Sequence, residues 1–169
     1  VEPMGLKLEF RAGEGPHIDN PVRDSNDVDS LSISNTDELG YVGESIQLVT
    51  RALAGKVPVI GFTGAPFTLA SYAIEGGGSR NFHEIKTLAF REPKVLHALL
   101  DKLASTIISY IKFQIESGAQ VIQLFDTWAG ELSPAHYEEF ALPHTQRIFD
   151  EIGSIVPRTL YINGTANIL

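Results

Sequence analysis

The run VPVIGF, Val57 to Phe62, is apolar at every position and rich in β-branched residues. A strand carries such residues on both faces only if both are buried, as in a parallel sheet covered by helices. AQVIQLFDT, Ala119 to Thr127, reads as a second strand of this kind. Between them, PKVLHALLDKLASTIISYIKFQIESG sets Leu96, Leu100, Leu103, Ile107 and Ile111 on one helical face, and Gly118 stops it. A helix between two buried strands implies parallel pairing through a right-handed crossover.

The remaining segments follow the same alternation. LKLEF, Leu6 to Phe10, reads as a short strand, and RAGEGPHIDNPVRDSNDVDSL after it as an irregular surface loop. Thr36-Asp37-Glu38 offers an N-cap with acids in the first turn, and Tyr41, Ile46, Val49 and Leu53 recur at helical spacing until Gly55. Pro66 suits a first helical position, so APFTLASYAIEG is expected to be a short helix. Three glycines and a polar segment with Arg80 and Arg91 come next. Ser133-Pro134 opens a helix through Ile152, expected to bend at Pro143, and RTLYIN reads as the last strand. The class is α/β with parallel strands, either a doubly wound sheet or part of a (β/α)8 TIM barrel. No Walker or dinucleotide glycine fingerprint follows a strand, which weighs against the nucleotide-binding sheet.

Composition narrows the functions. A formal net charge of −8 and the lack of any Lys/Arg-rich run argue against nucleic acid or an anionic membrane as partner. With no cysteine, disulfides and thiolate metal sites are excluded. No apolar run is long enough for a bilayer span, and VEPMGLKLEF lacks the regions of a signal peptide, so a cytoplasmic protein is expected. The 169 residues suit one domain. The start at Val1 and the stop within YINGTANIL lead to the expectation of a piece of a longer protein.

In folds of this kind, ligands sit beyond the carboxyl ends of the strands. Two segments fall there, Gly61-Phe62-Thr63-Gly64-Ala65-Pro66 and Phe125-Asp126-Thr127-Trp128-Ala129-Gly130. Each brings a large aromatic, a hydroxyl and small residues that let a ligand approach the backbone. Tyr72, two turns into the following helix, is placed to reach the same mouth. Each residue also has a plainer reading. Phe62 and Phe125 could be core, Tyr72 packing with a wet tip, Asp126 an Asx turn, and the triple glycine a flexible connection. His17, His83, His97, His136 and His144 form no HxH or HExxH pair, so no metal is expected. No GxSxG elbow supports an acyl-transfer serine.

Taken together, GFTGAPFTLASYAIEGGGSRNF, YIKFQIESGAQVIQLFDTWAGELSPAHYEEFALPHTQRIF and LEFRAGEGPHIDNPVR resemble the uroporphyrinogen decarboxylase family of (β/α)8 barrels, in order and over essentially all 169 residues. The resemblance implies a central portion of such a barrel, residues 1–169. It also implies cofactor-free and metal-free decarboxylation of the four acetate side chains of uroporphyrinogen III to give coproporphyrinogen III, a step of haem biosynthesis. By the same resemblance the enzyme is a homodimer at full length. Tyr72 and Thr127 match substrate-contacting positions of the family, and Phe62 and Phe125 match apolar positions that line the pocket against the macrocycle. The triple glycine is expected to turn the chain away from a wide mouth.

The departures are specific. The family's Arg-rich loop, the aspartate that binds the pyrrole NH groups and a histidine near the C-terminus have no counterpart in this sequence. No catalytic residue is therefore assigned within it, and the catalytic aspartate is expected upstream. A polyanionic substrate needs a cationic clamp, which a chain at −8 does not display. Two alternatives are a zinc-dependent corrinoid methyltransferase of the same superfamily and a non-catalytic barrel fragment. The methyltransferases carry a His-x-Cys-Gly-like zinc segment where this chain reads Tyr161-Ile162-Asn163-Gly164.

Overall fold

A computed structural model describes residues 1–11, 13, 15–33 and 36–165. Three parallel strands form its main sheet: β3 (Ile60–Gly64), β4 (Val121–Phe125) and β5 (Arg158–Tyr161), in the order β3-β4-β5. Before them come β1 (Leu8–Arg11), β2 (Gly15–Ile18), α1 (Ser25–Ser30) and α2 (Gly40–Leu53). Helices α3 (Pro66–Glu75), α4 (His83–Arg91) and α5 (Pro93–Glu116) connect β3 to β4. Between β4 and β5 lie α6 (Pro134–His136), a π-helical turn (Tyr137–Ala141) and α7 (Leu142–Ile152). The fold is α/β, with strands joined by helical crossovers as in a segment of a (β/α)8 barrel.

The sheet buries one face. Ile122 and Leu124 are fully buried and cluster with Ile107, Ile111 and Ile148 from α5 and α7. The register pairs Phe62 with Gln123, and Phe125 with Tyr161. Strand alternation therefore sets Ile60, Phe62, Gln123, Phe125, Thr159 and Tyr161 on the opposite face. Ile60, Phe62 and Tyr161 are exposed there. The expectation that VPVIGF is buried on both faces is met on one face only. Val57 to Val59 precede the strand, and no element of the described residues covers the second face. In a closed barrel that face turns to the interior.

A second core cluster unites the hairpin, α1, α3, α4 and the first half of α5, with Leu96, Leu99, Leu100 and Leu103 fully buried. Leu69 packs against both clusters.

Four local expectations change. LKLEF does begin a strand, but β1 pairs antiparallel with β2, from Leu8↔Ile18 to Arg11↔Gly15, in a separate hairpin. The predicted loop thus contains a strand, and its residues 12 and 14 lie outside the described ones. It also contains α1, which begins on a capping box: Asp24 accepts from Asn26 N at 2.8 Å and Asp27 N at 3.1 Å, while Asp27 accepts from Asp24 N. The polar segment after the glycines forms α4, anchored by buried Ile85 and Leu88. The distortion assigned to Pro143 lies earlier, at Tyr137–Ala141. A proline lacks its own N–H and crowds the carbonyl four residues back, here Glu139, and widening that turn relieves the clash.

Candidate functional site

Parallel pairing brings the carboxyl ends of β3, β4 and β5 to one side. Ala65 N donates to Phe125 O at 2.9 Å, and Asp126 N donates to Tyr161 O at 2.8 Å, so the three strand ends are tied together. Pro66 begins α3, but Ala65 at its N-cap has no capping side chain. The cap comes from the neighbouring strand end. Asp126 Oδ1 accepts from Thr68 N at 3.1 Å and from Thr68 Oγ1 at 2.9 Å. The Thr68 hydroxyl in turn accepts from Trp128 N at 3.2 Å. Asp126 is thus no ordinary Asx turn, since its carboxylate reaches across to the other motif.

The electrostatics at this point are unusual. Asp126 is 1% exposed. Burial pushes its pKa up to about 6, against the lowering effect of the two Thr68 hydrogen bonds. Its Oδ2 and the indole Nε1 of Trp128 are buried without a hydrogen-bond partner among the described residues. Burial, and to a lesser degree the charge of Asp126, raises the Tyr137 phenol.

Of the four residues singled out from the sequence, Phe62, Phe125 and Tyr72 fall into two aromatic groups. Phe62 and Phe125 meet edge to face at 5.9 Å on the uncovered sheet face, and Tyr161 extends the row at 5.7 Å from Phe125. At 61% exposure Phe62 is not a core residue of this chain. Tyr72 is half-buried on α3, with its ring 6.2 Å from that of Trp128. Phe82, in left-handed backbone at φ 50°, also packs against Trp128, at 5.0 Å. Thr127 lies in the chain between Asp126 and Trp128, the two residues bonded to Thr68. Tyr72 also lines an almost wholly apolar cavity of about 210 Å³ with Leu8, Phe10, Pro16 and Ile18 of the hairpin.

Other expected ligand-facing features do different work. Thr63 points to the helical side, against Leu103, Ile107 and Tyr110 of α5. A Cβ at Gly61 would lie 2.7 Å from Gln114 Oε1, and one at Gly64 would lie 2.7 Å from Leu69 Cδ2. These two glycines admit packing side chains rather than a ligand. In the triple glycine, Gly76 caps α3 in left-handed backbone, and its carbonyl accepts from Ile18 N at 2.7 Å. The glycines therefore dock the hairpin onto α3. Among the described residues, no three His, Asp or Glu side chains converge as metal ligands. His17, His97 and His144 lie beside Asp19, Glu139 and Asp101.

Thr68, Trp128 and Tyr161 carry roles that sequence reasoning did not assign. Tyr161 was legible as the next strand end, in register with Phe125. The Thr68–Asp126 bond was not, because it joins residues 58 positions apart.

Comparison with known proteins gives a consistent result. The family model for uroporphyrinogen decarboxylase (URO-D) matches residues 1–169. The uroporphyrinogen decarboxylase of Solibacter usitatus is 54% identical over 154 residues, covering 91% of this chain and 45% of that protein. That of Carboxydothermus hydrogenoformans is 46% identical over 171 residues, covering 100% of this chain and 49% of that protein. The chain therefore spans about half the length of these curated relatives. Among solved structures, a methyltransferase from Methanosarcina mazei superposes with a TM-score of 0.78 at 18% identity, covering 98% of this chain and 49% of that one. At that identity the likeness is one of fold.

Proposed function

This chain belongs to the uroporphyrinogen decarboxylase family, and we propose that it supplies the substrate-facing wall of an enzyme converting uroporphyrinogen III to coproporphyrinogen III. The observation that carries the reading is the row Phe62–Phe125–Tyr161, held on an uncovered sheet face, with Thr127 two residues beyond Phe125 in the chain. A flat macrocycle needs apolar rings against its face and a few hydroxyls for its polar rim. The row offers the first, and Tyr72 and Thr127 offer the second.

Each turnover replaces an acetate carboxylate by a proton on the same methylene carbon and releases carbon dioxide, four times per substrate. The described residues bind and orient. The groups that stabilise charge and deliver protons belong to the remaining half of a relative-length enzyme, as does the cationic clamp for the substrate's carboxylates. The open outer edges of β3 and β5 and the uncovered sheet face support such completion. The enzyme works without metal or organic cofactor, as a cytoplasmic homodimer; no helix among the described residues is long and apolar enough to cross a membrane. The corrinoid methyltransferase alternative finds no thiolate within these 169 residues, and Tyr161, where its zinc segment would begin, is engaged with Phe125.

The test is anaerobic incubation of the full-length enzyme with uroporphyrinogen III, with chromatography of the oxidised products. Stepwise loss of four carboxyl groups is expected. An unchanged octacarboxylate, with the protein folded, would overturn the proposal.

A further inference from the structure

One hydroxyl joins the two segments that carry the substrate-binding groups. Thr68 Oγ1 donates to Asp126 at 2.9 Å and accepts from Trp128 N at 3.2 Å, so the residues on both sides of Thr127 are bonded to it. Asp126 holds the other ends of the loop as well. Its N–H donates to Tyr161 O at 2.8 Å, and its carbonyl accepts from Ala129 N at 3.1 Å. Tyr72 lies four residues beyond Thr68 on α3, one turn along the same helical face. Its ring meets that of Trp128, which follows Thr127 directly.

A carboxylate is a costly way to cap a helix at a site this dry, because a neutral side chain could accept the same two bonds. Two further atoms at the site, Asp126 Oδ2 and Trp128 Nε1, are buried without a partner among the described residues. The two bonds from Thr68 to one carboxylate oxygen suit a device that holds two elements in one relative placement.

We propose that Asp126 and Thr68 form a positioning unit that fixes Tyr72 and Thr127 relative to each other, so that both hydroxyls engage one bound tetrapyrrole. The unit touches no substrate. It acts by locking the start of α3 to the turn after β4, and displacement of a bound group by about 1 Å costs up to a hundredfold in rate. The inference rests on the reading of Tyr72 and Thr127 as substrate-binding residues.

The experiment is steady-state kinetics on the full-length enzyme with uroporphyrinogen, together with urea unfolding at pH 7.5. Asp126→Leu and Thr68→Val, which remove the bond between the two segments, are each expected to lower kcat/KM about tenfold or more. Thr68→Ser, which keeps the hydroxyl, is expected to stay within about twofold of wild type. Asp126→Asn, whose amide oxygen accepts the same two bonds, keeps the lock, and its unfolding midpoint should not fall. In a Tyr72→Phe/Thr127→Val background, the losses from Asp126→Leu and Thr68→Val should shrink to about twofold or less, since the groups they position are gone. Full activity in both single variants would overturn the proposal, as would an equal loss in the doubly substituted background. If the Tyr72→Phe/Thr127→Val enzyme itself keeps wild-type kcat/KM, the substrate-binding reading fails first and the positioning unit has nothing to position.

Discussion

Replacing Asp126 by Asn should change how stability depends on pH, in a direction opposite to that of a salt-bridged carboxylate. Burial lifts the folded-state pKa from 3.8 to about 6. Below pH 3.8 the carboxyl is protonated in both states and contributes no pH dependence. Between 3.8 and about 6 the folded protein keeps the proton while the unfolded chain releases it, so stability falls as pH rises. Above about 6 the loss is complete, amounting to about 3 kcal/mol for a shift of this size. Asparagine removes the titration, so the variant gains on wild type through this window. Roughly 1.3 kcal/mol of the relative gain should fall between pH 5 and pH 7. The assay is urea unfolding of full-length wild type and variant across pH 5 to 8, read as the difference between them, in which the other titrating groups cancel. Tyr137, the phenol that feels the Asp126 charge, titrates above this range. A difference that stays flat, or that favours wild type increasingly as pH rises, would show that the Thr68 hydrogen bonds outweigh burial and would refute the reasoning.

Other outcomes are expected of the full-length enzyme. Tyr72→Phe removes one hydroxyl and keeps the ring, so kcat/KM should fall about tenfold to hundredfold with activity remaining, corresponding to roughly 1–3 kcal/mol; complete inactivity of a folded variant would mean a chemical role for the phenol. Thr127→Ser should be close to neutral and Thr127→Val should cost a similar hydrogen bond, measured by the same kinetics. EDTA should leave turnover unchanged, and loss restored by zinc would revive the methyltransferase alternative. Gly130→Ala places a Cβ 1.8 Å from the Asn163 carbonyl oxygen, where backbone has to move, so chemical denaturation should register a loss of about 1–3 kcal/mol or more.

The parts of the fold legible in the sequence were those where a long periodic pattern meets a clear stop. Helix α5 and the strand ends at Phe62 and Phe125 are of this kind. The hairpin was hidden because Gly, Pro and Asp punctuate both a loop and a pair of short strands, and pairing between residues 8–11 and 15–18 has no signature within either run. Helix α1 was hidden by its polarity, although Asp24 with Asp27 carries a capping signal. Glycine proved the least transparent residue: at Gly61 and Gly64 the missing Cβ makes room for Gln114 and Leu69. At the candidate site, Phe62, Phe125 and Thr127 were singled out by position at strand ends, and Tyr72 by its place on the following helix, with family resemblance pointing to all four. The Asp126–Thr68 bond depends on the close approach of two crossover units and has no local sequence counterpart.

The central claim is that the uncovered sheet face and the start of α3 form the wall that meets the tetrapyrrole. A crystal structure of the full-length enzyme with bound coproporphyrinogen III tests it most directly. The account predicts the rings of Phe62 and Phe125 in van der Waals contact with the macrocycle, and the Tyr72 and Thr127 hydroxyls within hydrogen-bonding distance of it. A macrocycle bound elsewhere, with the Phe62–Phe125 row covered by protein side chains and Tyr72 out of reach, would contradict it.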